Sequence, residues 1–102
     1  MQIDLKDKVA VVTGSAHRVG RAIALELARN GVHILVHYHN SEPSQVRETM
    51  HDIKSFGVDA FDVQSDLSQP EGIDKIFAVI EEHFGRLDIV VNSASTFQKR
   101  NL

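Results

Sequence analysis

The 102-residue sequence has no cysteine, so disulfides and thiolate-bound metals are excluded outright. Long apolar runs are also missing, and nothing approaches the roughly 20 residues that a bilayer crossing demands. Met1–Lys8 carries two Asp and two Lys and lacks an apolar h-region, which argues against a secretory signal. Charge of one sign is never concentrated: 11 Lys and Arg stand against 14 Asp and Glu, a formal net charge of −3. No patch therefore favours nucleic acid or an anionic membrane. What remains, 42% apolar and 25% charged residues, is the composition of an ordinary globular chain. Its length allows one domain at most, and the expected location is the cytoplasm.

Short apolar runs alternate with amphipathic stretches. Lys8–Thr13 reads as a strand, because Val9, Ala10, Val11 and Val12 are continuous, as expected when both faces of a parallel sheet are covered. From Val19 the period becomes helical, with Val19, Ile23 and Leu27 on one stripe, Ala22 beside them, and Asn30-Gly31 as the stop. Val32–Tyr38 is a second strand. A helix follows through Val46, Met50 and Ile53, with Pro43 in its first turn. Val58–Val63 is a third strand. Ser68-Gln69-Pro70-Glu71 has the form of a capping box opening a helix through Ile73, Ile76, Phe77, Ile80 and Phe84. Gly85 ends that helix, and Leu87–Asn92 is the fourth strand. The order βαβαβαβ implies an α/β fold, a doubly wound parallel sheet of the Rossmann type with right-handed crossovers.

In such sheets ligands bind outside the carboxyl ends of the strands. Here those ends are Thr13–Gly20, Tyr38–Ser41, Gln64–Ser68 and Asn92–Phe97, all polar. The first is neither a Walker phosphate loop nor a G-x-G-x-x-G turn. Its charges say more. His17, Arg18 and Arg21 crowd a helix start, where each exposed cation costs roughly 0.3–1 kcal/mol against the macrodipole. An anion held there would reverse the sign, since backbone N–H groups and guanidinium would then cooperate. The plainer alternative is that these side chains reach into solvent. His33, His37 and His39 share one face of the second strand, but Leu35 shares it too, and no metal site is expected there. His33 is expected to have its ring nitrogens satisfied locally.

Thr13-Gly14-x-x-x-Arg18-x-Gly20, then Asp66-Leu67-Ser68, then Asn92-Ser93-Ala94-Ser95 together resemble the amino-terminal half of a short-chain dehydrogenase/reductase, over essentially all 102 residues. The family's first turn usually reads T-G-x-x-x-G-x-G. Arg18 replaces the middle glycine, as in the family's pteridine reductases. The resemblance implies a dinucleotide-binding part spanning residues 1–102, contacted by Gly14, Ser15, His17, Arg18, Val19 and Gly20 of the first turn.

Dinucleotide sites choose between cofactors at the end of the second strand, where an acid would repel a 2′-phosphate. This sequence has Tyr38, His39, Asn40 and Ser41 there, and Glu42 lies beyond the expected position. Charge-assisted bonds from such donors are each worth roughly 1.5–3 kcal/mol, so NADP(H) is expected over NAD(H). The segment also resembles the His-Tyr-His-Arg-Ser run of pteridine reductases, with Asn40 in place of the Arg.

By the same resemblance, Asp66 and Leu67 bracket the adenine, and Asn92, Ser93 and Ala94 admit the nicotinamide ribose. Ser93 stands where the family has a second Asn. A turn role ahead of the Ser68 cap is the alternative for Asp66. Asp88 resembles a widespread structural residue of the family. Ser95 and Phe97 resemble the pterin-contacting serine and phenylalanine of pteridine reductases, with Arg18 bridging cofactor and substrate. The alternative for Phe97 is core packing.

The resemblance therefore implies an NADPH-dependent reductase of a small molecule, with a pteridine first and a 3-oxoacyl thioester or other carbonyl compound second. The family's general acid, the Tyr of Tyr-x-x-x-Lys, has no match, since Tyr38 is the only tyrosine and Glu42 lies four residues on. No catalytic residue is assigned. The chain is expected to be truncated after the fourth strand, with homo-oligomer contacts, commonly tetrameric in the family, in segments beyond it. A non-catalytic nucleotide-binding module is the alternative should 102 residues be the whole protein.

Overall fold

The computed structural model describes residues 4–94. Four strands alternate with three helices: β1 (Val9–Thr13), α1 (Arg18–Arg29), β2 (His33–Tyr38), α2 (Pro43–Lys54), β3 (Ala60–Gln64), α3 (Pro70–His83) and β4 (Ile89–Asn92). All pairings are parallel, in the order β3-β2-β1-β4. The chain moves outward through β1, β2 and β3, then returns past β1 to place β4. This is the expected doubly wound Rossmann-type sheet, with four strands among the described residues. Among the described residues, no helix is long and apolar enough to cross a membrane.

β1 is central, and its side chains serve both layers. Ala10 and Val12 join Ile34, Val36, Ala24, Ala28 and Ile53 in the core beneath α1 and α2. Val9 and Val11 join Leu35, Val63, Ile76 and Ile80 in the core beneath α3. Burial of all five β1 residues explains why the strand reads as a continuous apolar run.

Two expectations are corrected. The sheet-facing stripe of α1 is Gly20, Ala24 and Ala28, while Val19 is 68% exposed and Ala22 is also outside. Small residues let the helix axis approach the sheet, so the stripe with the least side chain is the one buried. Ile23 and Leu27 pack at its flank.

Ser68 does not cap α3. Pro70 occupies the first turn, so Gln69 is the N-cap, and the Ser68 hydroxyl instead donates to Asp66 Oδ1 at 2.7 Å. The N-terminal bond of capping-box type is at α2, where the Glu42 N–H donates to Gln45 Oε1 at 3.3 Å. On α3, Ile76 and Ile80 are buried, whereas Ile73 and Phe77 are about half exposed.

Asp88 ties the sheet at its amino end. Its Oδ2 accepts the Val9 N–H at 2.9 Å, its N–H donates to the Val9 carbonyl at 2.9 Å, and Arg86 pairs with its carboxylate. Those bonds from Arg86 and Val9 hold the Asp88 carboxyl below the usual carboxylate range.

Candidate functional site

At the carboxyl ends of the strands a crevice of about 650 Å³ opens between the β1–α1 turn, the end of β2 and the start of the chain after β4. Gly14, His17, Arg18, Val19 and Gly20 line it from the first turn. Tyr38 at the end of β2 and His39, Asn40 and Ser41 after it line it too, with Leu67 from the loop after β3 and Ser93 and Ala94 from the segment after β4. Three residues expected here do not themselves line the crevice. Ser15 is fully buried, with its hydroxyl accepting the His37 N–H at 3.2 Å. Asp66 spends Oδ1 on the N–H and hydroxyl of Ser68, while its Oδ2 lies 3.9 Å from Nε2 of the crevice-lining His39. Asn92 Oδ1 accepts the Thr13 hydroxyl at 2.9 Å, on the side of a smaller apolar hollow beside α3. Ser95 and Phe97 lie outside the described residues.

The first turn is shaped by close approach. Gly14 leaves β1 at φ +65°, and a Cβ there would come within 3.1 Å of the Ala94 Cα, so both conformation and space require glycine. A Cβ on Gly20 would be driven into the Gly14 carbonyl oxygen and Ser93 Oγ. The start of α1 is thereby held against the ends of β1 and β4.

That helix start is uncapped. His17 is the extended N-cap with no side-chain capping bond, and the first turn contains no acid. A helix end of this kind suits an anion. The three nearby cations divide their roles. Arg21 turns away to pair with Asp52, and its Nε donates to Thr49 Oγ1 at 3.1 Å. Thr49 in turn donates to the Ala16 carbonyl at 2.7 Å, fastening the turn to α2. Arg21 therefore does not supply the anion-facing charge expected of it. His17 Nδ1 lies 3.1 Å from Ser41 Oγ, joining the first turn to the end of β2. Arg18 is exposed at the crevice and has no ion pair among the described residues. Its backbone adopts φ +59°, a left-handed conformation at the position where the family's turn has glycine.

The histidines of β2 separate in function. His33 Nδ1 accepts the Asp59 N–H at 3.0 Å and Nε2 lies 3.3 Å from Asp7, so both nitrogens are engaged locally. His37 is buried. Its Nδ1 accepts the Gly14 N–H at 3.1 Å, and its Nε2 donates to the Ser65 carbonyl at 3.0 Å. Burial pushes the His37 pKa down; the bond to Ser65 opposes the shift and His39 adds to it. Among the described residues, no group of three or more His, Asp or Glu stands ready for a metal ion.

Three contributors were not visible in the sequence. His37 organises the turn, although its two ring partners lie 23 and 28 residues away. Thr13 Oγ1 accepts the N–H groups of Ser93 at 3.0 Å and Ala94 at 3.1 Å, ordering the segment after β4. Glu42, at the α2 N-cap, reaches the crevice wall after all. A threonine opening a T-G turn is the one signal that pointed this way.

A parallel sheet with a glycine turn, an uncapped helix start and a crevice across its strand ends has the form of a Rossmann-type α/β half. The family model for short chain dehydrogenases matches residues 8–102, and the chain belongs to that family. It is 42% identical over 94 residues to glucose 1-dehydrogenase 2 of Bacillus subtilis, covering 92% of this chain and 36% of that protein. Over 90 residues it is 40% identical to versicolorin reductase stcU of Emericella nidulans, covering 88% and 34%. The solved structure of L-sorbose reductase from Gluconobacter frateurii, complexed with NADPH and L-sorbose, superposes with a TM-score of 0.82. It is 36% identical and the match covers 92% of this chain and 36% of that one. The chain thus spans about a third of the length of these relatives.

Proposed function

We propose that the crevice binds NADP(H) and that the chain is the cofactor-binding part of a reductase of small carbonyl compounds. The observation that carries this reading is a juxtaposition. The uncapped start of α1 faces the same crevice as Arg18, His39, Asn40 and Ser41, and no acid stands directly at the end of β2.

The residues present fit the cofactor. Gly14, Val19 and Gly20 allow close approach of a pyrophosphate to backbone, and Arg18 adds charge. His17, Tyr38, His39, Asn40 and Ser41 surround the place for a ribose 2′-phosphate. Leu67 flanks the adenine, and Ser93 and Ala94 present little bulk to the nicotinamide ribose. Ser15, Asp66 and Asn92 contribute indirectly, by shaping the turns that carry these contacts. The bound nicotinamide supplies a hydride donor or acceptor.

The carbonyl reading is supported by likeness to proteins named for glucose and L-sorbose. A pteridine substrate has Arg18 behind it among the described residues, while Ser95 and Phe97 lie outside them. Homo-oligomeric assembly and a cytoplasmic location belong to the same proposal.

The test is NADPH oxidation by the intact protein with a ketose, an aromatic ketone and a dihydropterin offered in parallel. Consumption with a carbonyl compound is expected. Turnover of the dihydropterin alone would favour the second substrate, and no turnover with any would count against a reductase.

A further inference from the structure

We propose that His37 is a positioning residue for the cofactor: a neutral imidazole, fixed as the Nε2–H tautomer, that locks the glycine turn to the end of β3. This rests on the dinucleotide reading of the crevice and adds a residue to it.

The direction of the bonds leaves no choice of tautomer. The Gly14 N–H only donates, so Nδ1 must be the acceptor at 3.1 Å. The Ser65 carbonyl only accepts, so Nε2 must carry the proton at 3.0 Å. A charged ring would present an N–H to the Gly14 N–H and break that contact. The backbone of His37 grips the same turn: its carbonyl accepts the Ser15 N–H at 2.9 Å, and its N–H donates to Ser15 Oγ at 3.2 Å.

One residue of β2 therefore sets the peptide before Gly14 and the loop that leads into Asp66 and Leu67. Those two segments carry the pyrophosphate and adenine parts of the proposed cofactor site. His37 is 2% exposed, so an apolar replacement would strip the buried Ser65 carbonyl and the part-buried Gly14 N–H of their partners. The turn would have to reorient to find a partner. A Cβ on Gly14 would meet the Ala94 Cα at 3.1 Å, so the turn lies close to the segment after β4 and its reorientation would also disturb that side of the crevice.

Two amide replacements separate the two ring bonds. In His37→Asn the amide oxygen reaches the place of Nδ1 and keeps the acceptor for Gly14. In His37→Gln the longer amide reaches toward Ser65 and leaves Gly14 unpaired. The intact protein is titrated with NADPH, and each variant's thermal midpoint is recorded beside its Kd. Loss of an acceptor for the part-buried Gly14 N–H predicts a rise in Kd of roughly tenfold for His37→Gln and His37→Leu, with His37→Asn within about threefold of the wild type. A purely structural role would order the variants by thermal midpoint and leave Kd unchanged in those that fold.

Imidazole 15N shifts of the wild type give an independent reading, with Nδ1 bare and Nε2 protonated. The opposite tautomer or a charged ring at neutral pH would overturn the proposal, and so would equal Kd values for wild type, His37→Gln and His37→Leu. Failure of the wild type to bind either NADPH or NADH would instead overturn the crevice reading, and this one with it.

Discussion

Thr13 and Ser93 hold each other across the sheet. The Ser93 N–H donates to Thr13 Oγ1 at 3.0 Å, while Ser93 Oγ donates to the Thr13 carbonyl at 2.5 Å. The pair joins the ends of β1 and β4, and Thr13 extends it to Ala94 and Asn92. Ser93, where the family has asparagine, thus takes up a backbone group of the glycine turn.

Removing the Thr13 hydroxyl while keeping its shape tests that joint. Thr13→Val leaves the Ser93 and Ala94 N–H groups without their acceptor in a part-buried setting, an expected loss of about 1–3 kcal/mol. Thr13→Ser keeps the oxygen and should recover most of it. Urea unfolding midpoints of the three proteins decide the matter; equal midpoints for valine and threonine would show that the hydroxyl holds nothing.

Gly20→Ala is expected to be worse than a helix propensity scale would indicate. Alanine normally gains up to about 1 kcal/mol over glycine inside a helix. Here the added methyl meets the backbone carbonyl of Gly14 and Ser93 Oγ, which its bond to the Thr13 carbonyl holds in place, so the sign should reverse to a loss of about 1–3 kcal/mol. A thermal melt that shows stabilisation would contradict the packing described.

Arg18→Gly separates stability from binding. At φ +59° an L side chain costs roughly 1–2 kcal/mol, and glycine relieves it. The same change removes a guanidinium from the crevice. The expected outcome is a higher unfolding midpoint together with weaker NADPH binding. Tighter binding would show that Arg18 is strained for no purpose at this site.

Acid should weaken the fold in two stages, each with the same sign. Burial holds the folded His37 pKa below its ordinary 6.5, so between those values the unfolded chain binds the extra proton and stability falls as pH drops below about 6.5. The Asp66 carboxyl is lowered by its bonds from Ser68, and Asp88 by those from Arg86 and Val9. Their contributions are complete above the ordinary 3.8 and disappear as pH falls through the lowered folded values. Urea midpoints measured from pH 8 down to pH 3 should show both declines, and His37→Asn should lack the first. A midpoint unchanged between pH 7 and pH 5 would contradict the burial of a neutral His37.

The elements were legible in the sequence because their signals are local. Val9–Val12 shows a two-sided strand in its own composition, and Asn30-Gly31 and Gly85 show where helices stop. The phase of α1 was not legible from apolar periodicity. Its buried stripe is Gly20, Ala24 and Ala28, which carry almost no side chain, and the pattern of larger residues marks the flank instead. Ser68 has the form of a cap in sequence but does not act as one, because Pro70 fixes the first turn of α3 and Asp66 takes the Ser68 hydroxyl.

At the site, the segments were legible and the bonding was not. The first turn, the end of β2 and the small residues after β4 do line one crevice. That Ser15 turns inward and that Arg21 belongs to Thr49 and Asp52 depend on partners more than twenty residues away. His37 is the sharpest case, since in sequence it is one of three alternating histidines and in space it is the only one bonded to the glycine turn.

The most direct test of the account is the affinity of the intact protein for NADPH against NADH, measured by equilibrium titration at one ionic strength. Charge-assisted bonds to a 2′-phosphate from the His39–Ser41 end of β2 predict that NADPH binds at least roughly tenfold more tightly. Equal or tighter binding of NADH would contradict the account and make Glu42, on the crevice wall, the acid that selects the ribose.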